Sequence, residues 1–304
     1  MPRRSALAGV AALMSAVLLT GCAISRPAAE PGAPIVVAAS IDTWGSILAQ
    51  LGGTRVRASS IITSPASDPH DYEPTPADAR LIADAAVFVY NGVGYDSWAE
   101  RAVRADPEPT RQVIDIGRLT GTPTDGNPHR WYDPADVSAV ADAITAALRR
   151  ADPADAGYFD SRHASWTGAA TAGYRQLLST IRGRYAGTPV GASESVFVPL
   201  AQALGLDLLT PAGLLRAVSE GTDPSAADKA VVDRQLDRKQ VKVFVYNSQN
   251  STPDVSAQVS AARRAGIPVV EVTETLTPPD ASFQDWQSTQ LRRLQSALSQ
   301  ATGR

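Results

Sequence analysis

The sequence predicts an α/β protein made of two βα lobes joined by one long helix. Three observations predict it. Short apolar runs alternate with amphipathic helical stretches, the pattern of βα units and a parallel sheet. The alternation runs twice, before residue 153 and again after residue 187. Between them, Asp155 to Arg182 keeps helical spacing through Phe159, Trp166, Gly173, Leu177 and Ile181, with only glycines to weaken it. A helix of that extent is about 42 Å long, more than one small lobe needs. The 304 residues are 44% hydrophobic, enough for real cores. A net charge of −3 argues against nucleic acid as a partner. A single cysteine excludes an internal disulfide framework and any multi-cysteine zinc site.

In chain order, Arg3 and Arg4 precede an uncharged apolar run from Ser5 to Leu19, closed by Leu19-Thr20-Gly21-Cys22. A basic start and a run too short to span as a helix read as a secretory signal. Its end looks like a bacterial lipobox, in which Cys22 is lipidated and the chain is cut before it. Residues 1–21 are therefore expected to be a lipoprotein signal peptide and 22–34 a lipidated tether, rich in Pro and Ala and reaching at most ~40 Å. The expectation is a soluble body lipid-anchored to the cell membrane on its extracytoplasmic side, with residues 35–153 as one lobe, 154–186 as the linking helix and 187–304 as the other lobe.

In the first lobe, strands are expected at Ile35–Ala39, Val56–Ile62, Val87–Tyr90 and Gln112–Ile116, with helices from Asp42 to Leu51 and Pro76 to Ala85. Asp133-Pro134 opens a well-marked helix, a capping carboxylate followed by proline at the first helical position. In the second lobe, Val190–Ala192, Leu206–Leu209, Val241–Tyr246 and Pro268–Val272 read as strands. Helices are expected at Val196–Leu204, Ala226–Leu236, Val255–Ala265 and Phe283–Ala301.

Open parallel sheets bind ligands beyond the carboxyl ends of their strands, so metal-capable side chains just past those ends are the candidates. His70 stands in Asp-Pro-His-Asp-Tyr-Glu-Pro and His129 in Asn-Pro-His-Arg-Trp-Tyr-Asp-Pro. Glu194 follows the first strand of the second lobe by two residues, and Glu274 follows the last strand by two. Two imidazoles and two carboxylates can hold a divalent first-row ion, and two carboxylates leave the filled site formally neutral. Glu194 alone reads more often as a helix N-terminal carboxylate, a role compatible with binding metal, and Glu274 is the weakest candidate, since a loop glutamate is usually solvated. His163, on the long helix, reads as structural or exposed. Tyr72, Trp131 and Tyr132 read as packing, and Asn91 and Asn247 as turn or supporting groups.

A lipobox, a βα lobe carrying Pro-His-Asp-Tyr-Glu-Pro, then Asn-Pro-His-x-Trp-Tyr-Asp-Pro, resembles the TroA-like metal-binding lipoproteins, the manganese and zinc solute-binding components of ABC importers. Ser-Glu-Ser-Val-Phe is similar to their third-ligand segment and Val-Thr-Glu-Thr to their fourth. The resemblance implies two lobes of four-stranded parallel sheet bridged by a rigid helix. It implies His70, His129, Glu194 and Glu274 as ligands of one Zn²⁺ or Mn²⁺, carried as cargo. It also implies an ABC permease as partner, a membrane reached through lipid on Cys22, and a monomeric, non-enzymatic binding protein. The sequence departs from many zinc-binding members by lacking a His- and acid-rich loop and by having Glu194 where a third His is usual. Oxygen ligands favour Mn²⁺ relative to a His-rich set, although Zn²⁺ still binds more tightly at most such sites. The alternative is an exported metal-dependent hydrolase using the same residues, but neither His-Glu-x-x-His nor Gly-x-Ser-x-Gly occurs.

Overall fold

The structure, a computed structural model, describes residues 33–64, 72–250 and 252–304. Cys22 and His70 lie outside the described residues, as do the expected signal peptide and nearly all of the tether.

The first sheet is built from β1 (Ile35–Ile41), β2 (Val56–Ile62), β3 (Val87–Tyr90) and β4 (Gln112–Asp115) in the order β2-β1-β3-β4, all parallel. The interleaved helices are α1 (Asp42–Gly52), α2 (Pro76–Asp84), α3 (Ser97–Ala105), α4 (Ile116–Thr120) and α5 (Pro134–Ala151). Their starts follow from the sequence. Thr75 and Asp78 cap each other's backbone N–H groups ahead of α2, and the Asp133 carboxylate accepts from Ala135 N–H ahead of α5. The central strands are apolar on both faces because helices cover both; β3 is buried at every position.

The linking segment is helical but not one uninterrupted α-helix. It runs as α6 (Ala156–Ser165), a wider π-turn over Trp166–Ala170, then α7 (Ala172–Tyr185). The Thr171 hydroxyl donates to the Trp166 carbonyl and the Thr171 N–H to the same oxygen. These i+5 bonds, beside the weak helix former Gly168, let the helix widen there.

The second sheet repeats the first: β5 (Pro189–Ala192), β6 (Asp207–Leu208), β7 (Val243–Asn247) and β8 (Val269–Val272), parallel, in the order β6-β5-β7-β8. Its helices are α8 (Val198–Leu204), α9 (Ala212–Ser219), α10 (Ala226–Asp237), α11 (Pro253–Arg264) and α12 (Phe283–Thr302). Here β6 is a two-residue edge strand, shorter than the expected Leu206–Leu209.

The main apolar core is not confined to one lobe. It gathers the first sheet, α1, α5, the linking helix, part of the second sheet and Phe283, Trp286, Leu291, Leu294 and Leu298 of α12. A smaller core, around Phe244, Val232, Leu236 and Val259, lies on the far face of the second sheet. Polar ties also cross between the lobes. Phe283 N–H donates to Ser46 Oγ at 3.0 Å, Leu276 N–H to Asp42 Oδ2 at 3.1 Å, and Gln287 to the Trp131 carbonyl at 3.2 Å. The Tyr132 hydroxyl lies 2.7 Å from the Thr273 carbonyl oxygen and 2.8 Å from Gln290 Oε1. Among the described residues, no helix is long and apolar enough to cross a membrane.

Candidate metal centre

The order β6-β5-β7-β8 means that the chain leaves β5 in one direction and returns to β7 on its other side. The ends of these two central strands flank the crevice where such sheets place ligands. Glu194 stands two residues beyond β5, in extended backbone ahead of the 3₁₀ turn Ser195–Phe197. Glu274 stands two residues beyond β8. His129 comes from the other lobe, on the loop between α4 and α5, immediately before the 3₁₀ turn Arg130–Tyr132. One ligand atom from each of His129, Glu194 and Glu274 lies within 4.8 Å of the others. Three of the four residues expected from the sequence thus meet at one point; the fourth, His70, is not among the described residues.

The imidazole is presented in a defined tautomer. Asn127 Oδ1 is 2.9 Å from His129 Nδ1 and also accepts from His129 N–H at 3.0 Å. An amide oxygen only accepts, so Nδ1 carries a proton, and in the neutral ring Nε2 is the atom left with a lone pair to bind a cation. His129 Nε2 is 3.5 Å from Glu274 Oε2. The ring is walled by Trp131 and Tyr95, edge-on at 5.4 and 6.1 Å between centroids. Asn91 holds the His129 loop by donating to the Pro128 carbonyl at 2.9 Å while accepting from Trp44 Nε1 at 3.0 Å. Asp96 in turn accepts from the Asn91 and Gly92 N–H groups. Its own burial pushes its carboxyl up to about 6.

The carboxylates are held by neutral donors. Asn247 Nδ2 donates to Glu194 Oε1 at 2.7 Å and to Glu274 Oε1 at 2.8 Å; Asn250 donates to Glu194 Oε2 at 2.7 Å; the Tyr95 hydroxyl donates to Glu274 Oε2 at 2.8 Å. Glu194 is 1% exposed. Burial pushes its carboxyl up to about 7, and the negative charge of Glu274 adds to this, against the lowering effect of His129 and the two amides. A buried and a part-buried carboxylate, close together and facing an imidazole, form a pocket of electron density that a divalent cation would stabilise.

The remaining sequence candidates take quieter places. His163 pairs with Asp142 of α5 at 2.7 Å. Tyr72 donates to Asp78 and packs on Trp98. Trp131 and Tyr132 are buried, and Asn91 and Asn247 support neighbours. Sequence reasoning missed Tyr95, Asn127 and Asn250. Asn127 carried a signal, a short amide two residues before a histidine and able to accept its N–H. Tyr95 carried none, because only folding brings it to Glu274, 179 positions along the chain.

The family described as zinc-uptake complex component A, periplasmic (ZnuA) matches residues 37–297. The chain belongs to this family. Among relatives of the ZnuA family, the manganese-binding lipoprotein MntA of Halalkalibacterium halodurans is 30% identical over 145 residues, 46% of this chain and 48% of MntA. The high-affinity zinc uptake system protein ZnuA of Bacillus subtilis is 24% identical over 235 residues, 69% of this chain and 70% of that protein. The match thus spans about half the length of MntA, and 54% of the manganese ABC transporter substrate-binding lipoprotein PsaA of Streptococcus mitis. A solved crystal structure of ZnuA superposes with a TM-score of 0.70 at 20% identity, covering 88% of this chain and all of that one (100%). The Mn-bound periplasmic metal binding protein from Candidatus Liberibacter asiaticus gives 0.69 at 18% identity, covering 87% and 99%. Both structures share the two-sheet fold.

Proposed function

We propose that this chain is an extracytoplasmic solute-binding lipoprotein that captures one divalent transition metal ion, Zn²⁺ or Mn²⁺, and delivers it to the permease of an ABC importer. The observation that carries the reading is the convergence of His129, Glu194 and Glu274 from two lobes on a single point. His70 completes the ligand set in this reading, and lipid on Cys22 holds the monomeric body to the membrane. The names of MntA and ZnuA, manganese binding and zinc uptake, favour cargo over catalysis and lend nothing to a hydrolase.

The metal is carried, not turned over. Binding replaces repulsion between a buried and a part-buried carboxylate by attraction to a shared cation. Release then requires that one ligand be withdrawn or one lobe shift. The cross-lobe ties through Tyr132, Gln287 and Phe283 support small shifts over a wide hinge. The test is to strip the soluble body of metal and titrate Mn²⁺ and Zn²⁺ in competition, reading bound metal by mass spectrometry. One ion per chain is expected, abolished in His129→Ala. Unchanged stoichiometry and affinity in that variant would remove His129 from the site and the reading with it.

A further inference from the structure

We infer that Asn247 is a positioning residue: one amide nitrogen sets the spacing of Glu194 and Glu274 and thereby the preference of the site between a higher-coordinate and a four-coordinate cation. The inference rests on the metal-binding reading above and deepens it.

Asn247 ends β7, between the strand ends that lead to Glu194 and Glu274. It is fully buried. Both protons of Nδ2 are used, one on each carboxylate, at 2.7 and 2.8 Å. Its Oδ1 accepts from Gln249 N–H at 3.0 Å and its own N–H donates to Ser193 Oγ at 3.3 Å. The amide is therefore pinned at both ends and cannot follow a carboxylate that moves. Ionised carboxylates only accept hydrogen bonds, so this nitrogen supplies a shared donor between the buried Glu194 and the part-buried Glu274. Both Oε1 atoms answer to one nitrogen while Asn250 and Tyr95 hold the Oε2 atoms, so turning either carboxylate strains a bond whose donor the other carboxylate shares. Zn²⁺ prefers four ligands at short range, with Zn–O near 2.0–2.2 Å. Mn²⁺ suits oxygen-rich sites and favours six-coordination. A bridged pair resists collapse onto the smaller coordination shell; an unbridged pair does not.

The experiment compares wild type with Asn247→Ser, whose shorter side chain reaches neither carboxylate and adds no charge. Metal-stripped proteins are titrated with Mn²⁺ and Zn²⁺ in competition, and Mn²⁺ electron paramagnetic resonance is recorded on the loaded forms. Mn²⁺ affinity is expected to fall about 10–100-fold, the usual cost of losing a residue that orients ligands. Zn²⁺ affinity should fall less, so that the Zn²⁺ to Mn²⁺ affinity ratio rises, with an altered Mn²⁺ spectrum. Equal losses for both ions, or no loss, overturn the inference, since a merely structural role would leave the ratio alone. Should the variant not fold, crystal structures of the wild type with each ion decide. Both Asn247 bonds are expected intact with Mn²⁺ and one stretched beyond about 3.5 Å with Zn²⁺; both intact in both forms overturns it. If the wild type binds neither ion, the metal-binding reading itself falls, and this inference falls with it.

Discussion

Truncating Asn127 to alanine removes the group that aims His129. Its Oδ1 accepts both the backbone N–H and Nδ1–H of His129, at 3.0 and 2.9 Å, and its Nδ2 donates to the Ser195 carbonyl at 2.7 Å. That last bond reaches across the lobes to the residue after Glu194. Without it, the polar neighbour left to Nδ1 is Ser195 Oγ at 3.4 Å, a hydroxyl able to donate or accept. The imidazole then loses its fixed tautomer, and a fraction of molecules present a protonated Nε2 to the cation. Loss of such an orienting partner costs about 10–100-fold in metal affinity, or about 1.4–2.8 kcal/mol. Three part-buried hydrogen bonds at about 1 kcal/mol each predict a similar loss of folding stability. Calorimetric titration of the stripped variant with Mn²⁺ and Zn²⁺ reads the first quantity, and urea denaturation the second. A folded Asn127→Ala protein whose affinity stays within about twofold of wild type would refute the claim that this amide presents the ligand.

Two further outcomes concern stability. Asp42 is buried at the end of β1, with Oδ2 accepting from Leu276 N–H, and burial pushes its carboxyl from 3.8 to about 6. The folded state holds that proton more tightly than the unfolded chain. Its contribution is therefore present below about pH 4 and is lost as pH rises through about 6, a change of about 3 kcal/mol. Denaturation of the metal-free protein across that window should show the fall, and Asp42→Asn should flatten it; an identical slope in the variant would assign the dependence elsewhere. Gly52→Ala places a methyl group 2.3 and 2.4 Å from the two Val56 methyls. The overlap should outweigh the better helix propensity of alanine, lowering stability by about 1–3 kcal/mol. A raised melting temperature would show that the start of β2 yields freely.

What could be read from the chain alone follows from the range of the forces involved. Strands buried on both faces, such as Val87–Tyr90 and Val243–Asn247, announce themselves as apolar runs, and capped helices such as Pro134–Ala151 by Asp-Pro. Short helices escaped. Ser97–Ala105 and Ala212–Ser219 are two turns each, too brief for periodicity to separate them from loops. The π-turn at Trp166–Ala170 escaped as well, because Thr171 acts on the backbone five residues earlier and leaves the apolar spacing intact. At the candidate site, Glu194 and Glu274 are proposed from their place two residues after strands; His129 is proposed from the same rule, although α4 stands between it and β4. The groups that hold them were found only in part. Asn247 was recognised as a supporting residue, but its bond to two carboxylates at once depends on three strand ends meeting. Tyr95 depends on the approach of two lobes, which no local pattern encodes.

Phe283–Thr302 also has a bearing on how the protein is made. This segment is synthesised after β1 and α1, yet its Phe283, Trp286 and Leu291 fill a core shared with them. The leading portion of a growing chain thus lacks part of its apolar packing until the trailing portion arrives. An amino-terminal portion of the chain therefore cannot close this core without Phe283–Thr302. Assembly of the shared core is completed only when Phe283–Thr302 joins β1 and α1.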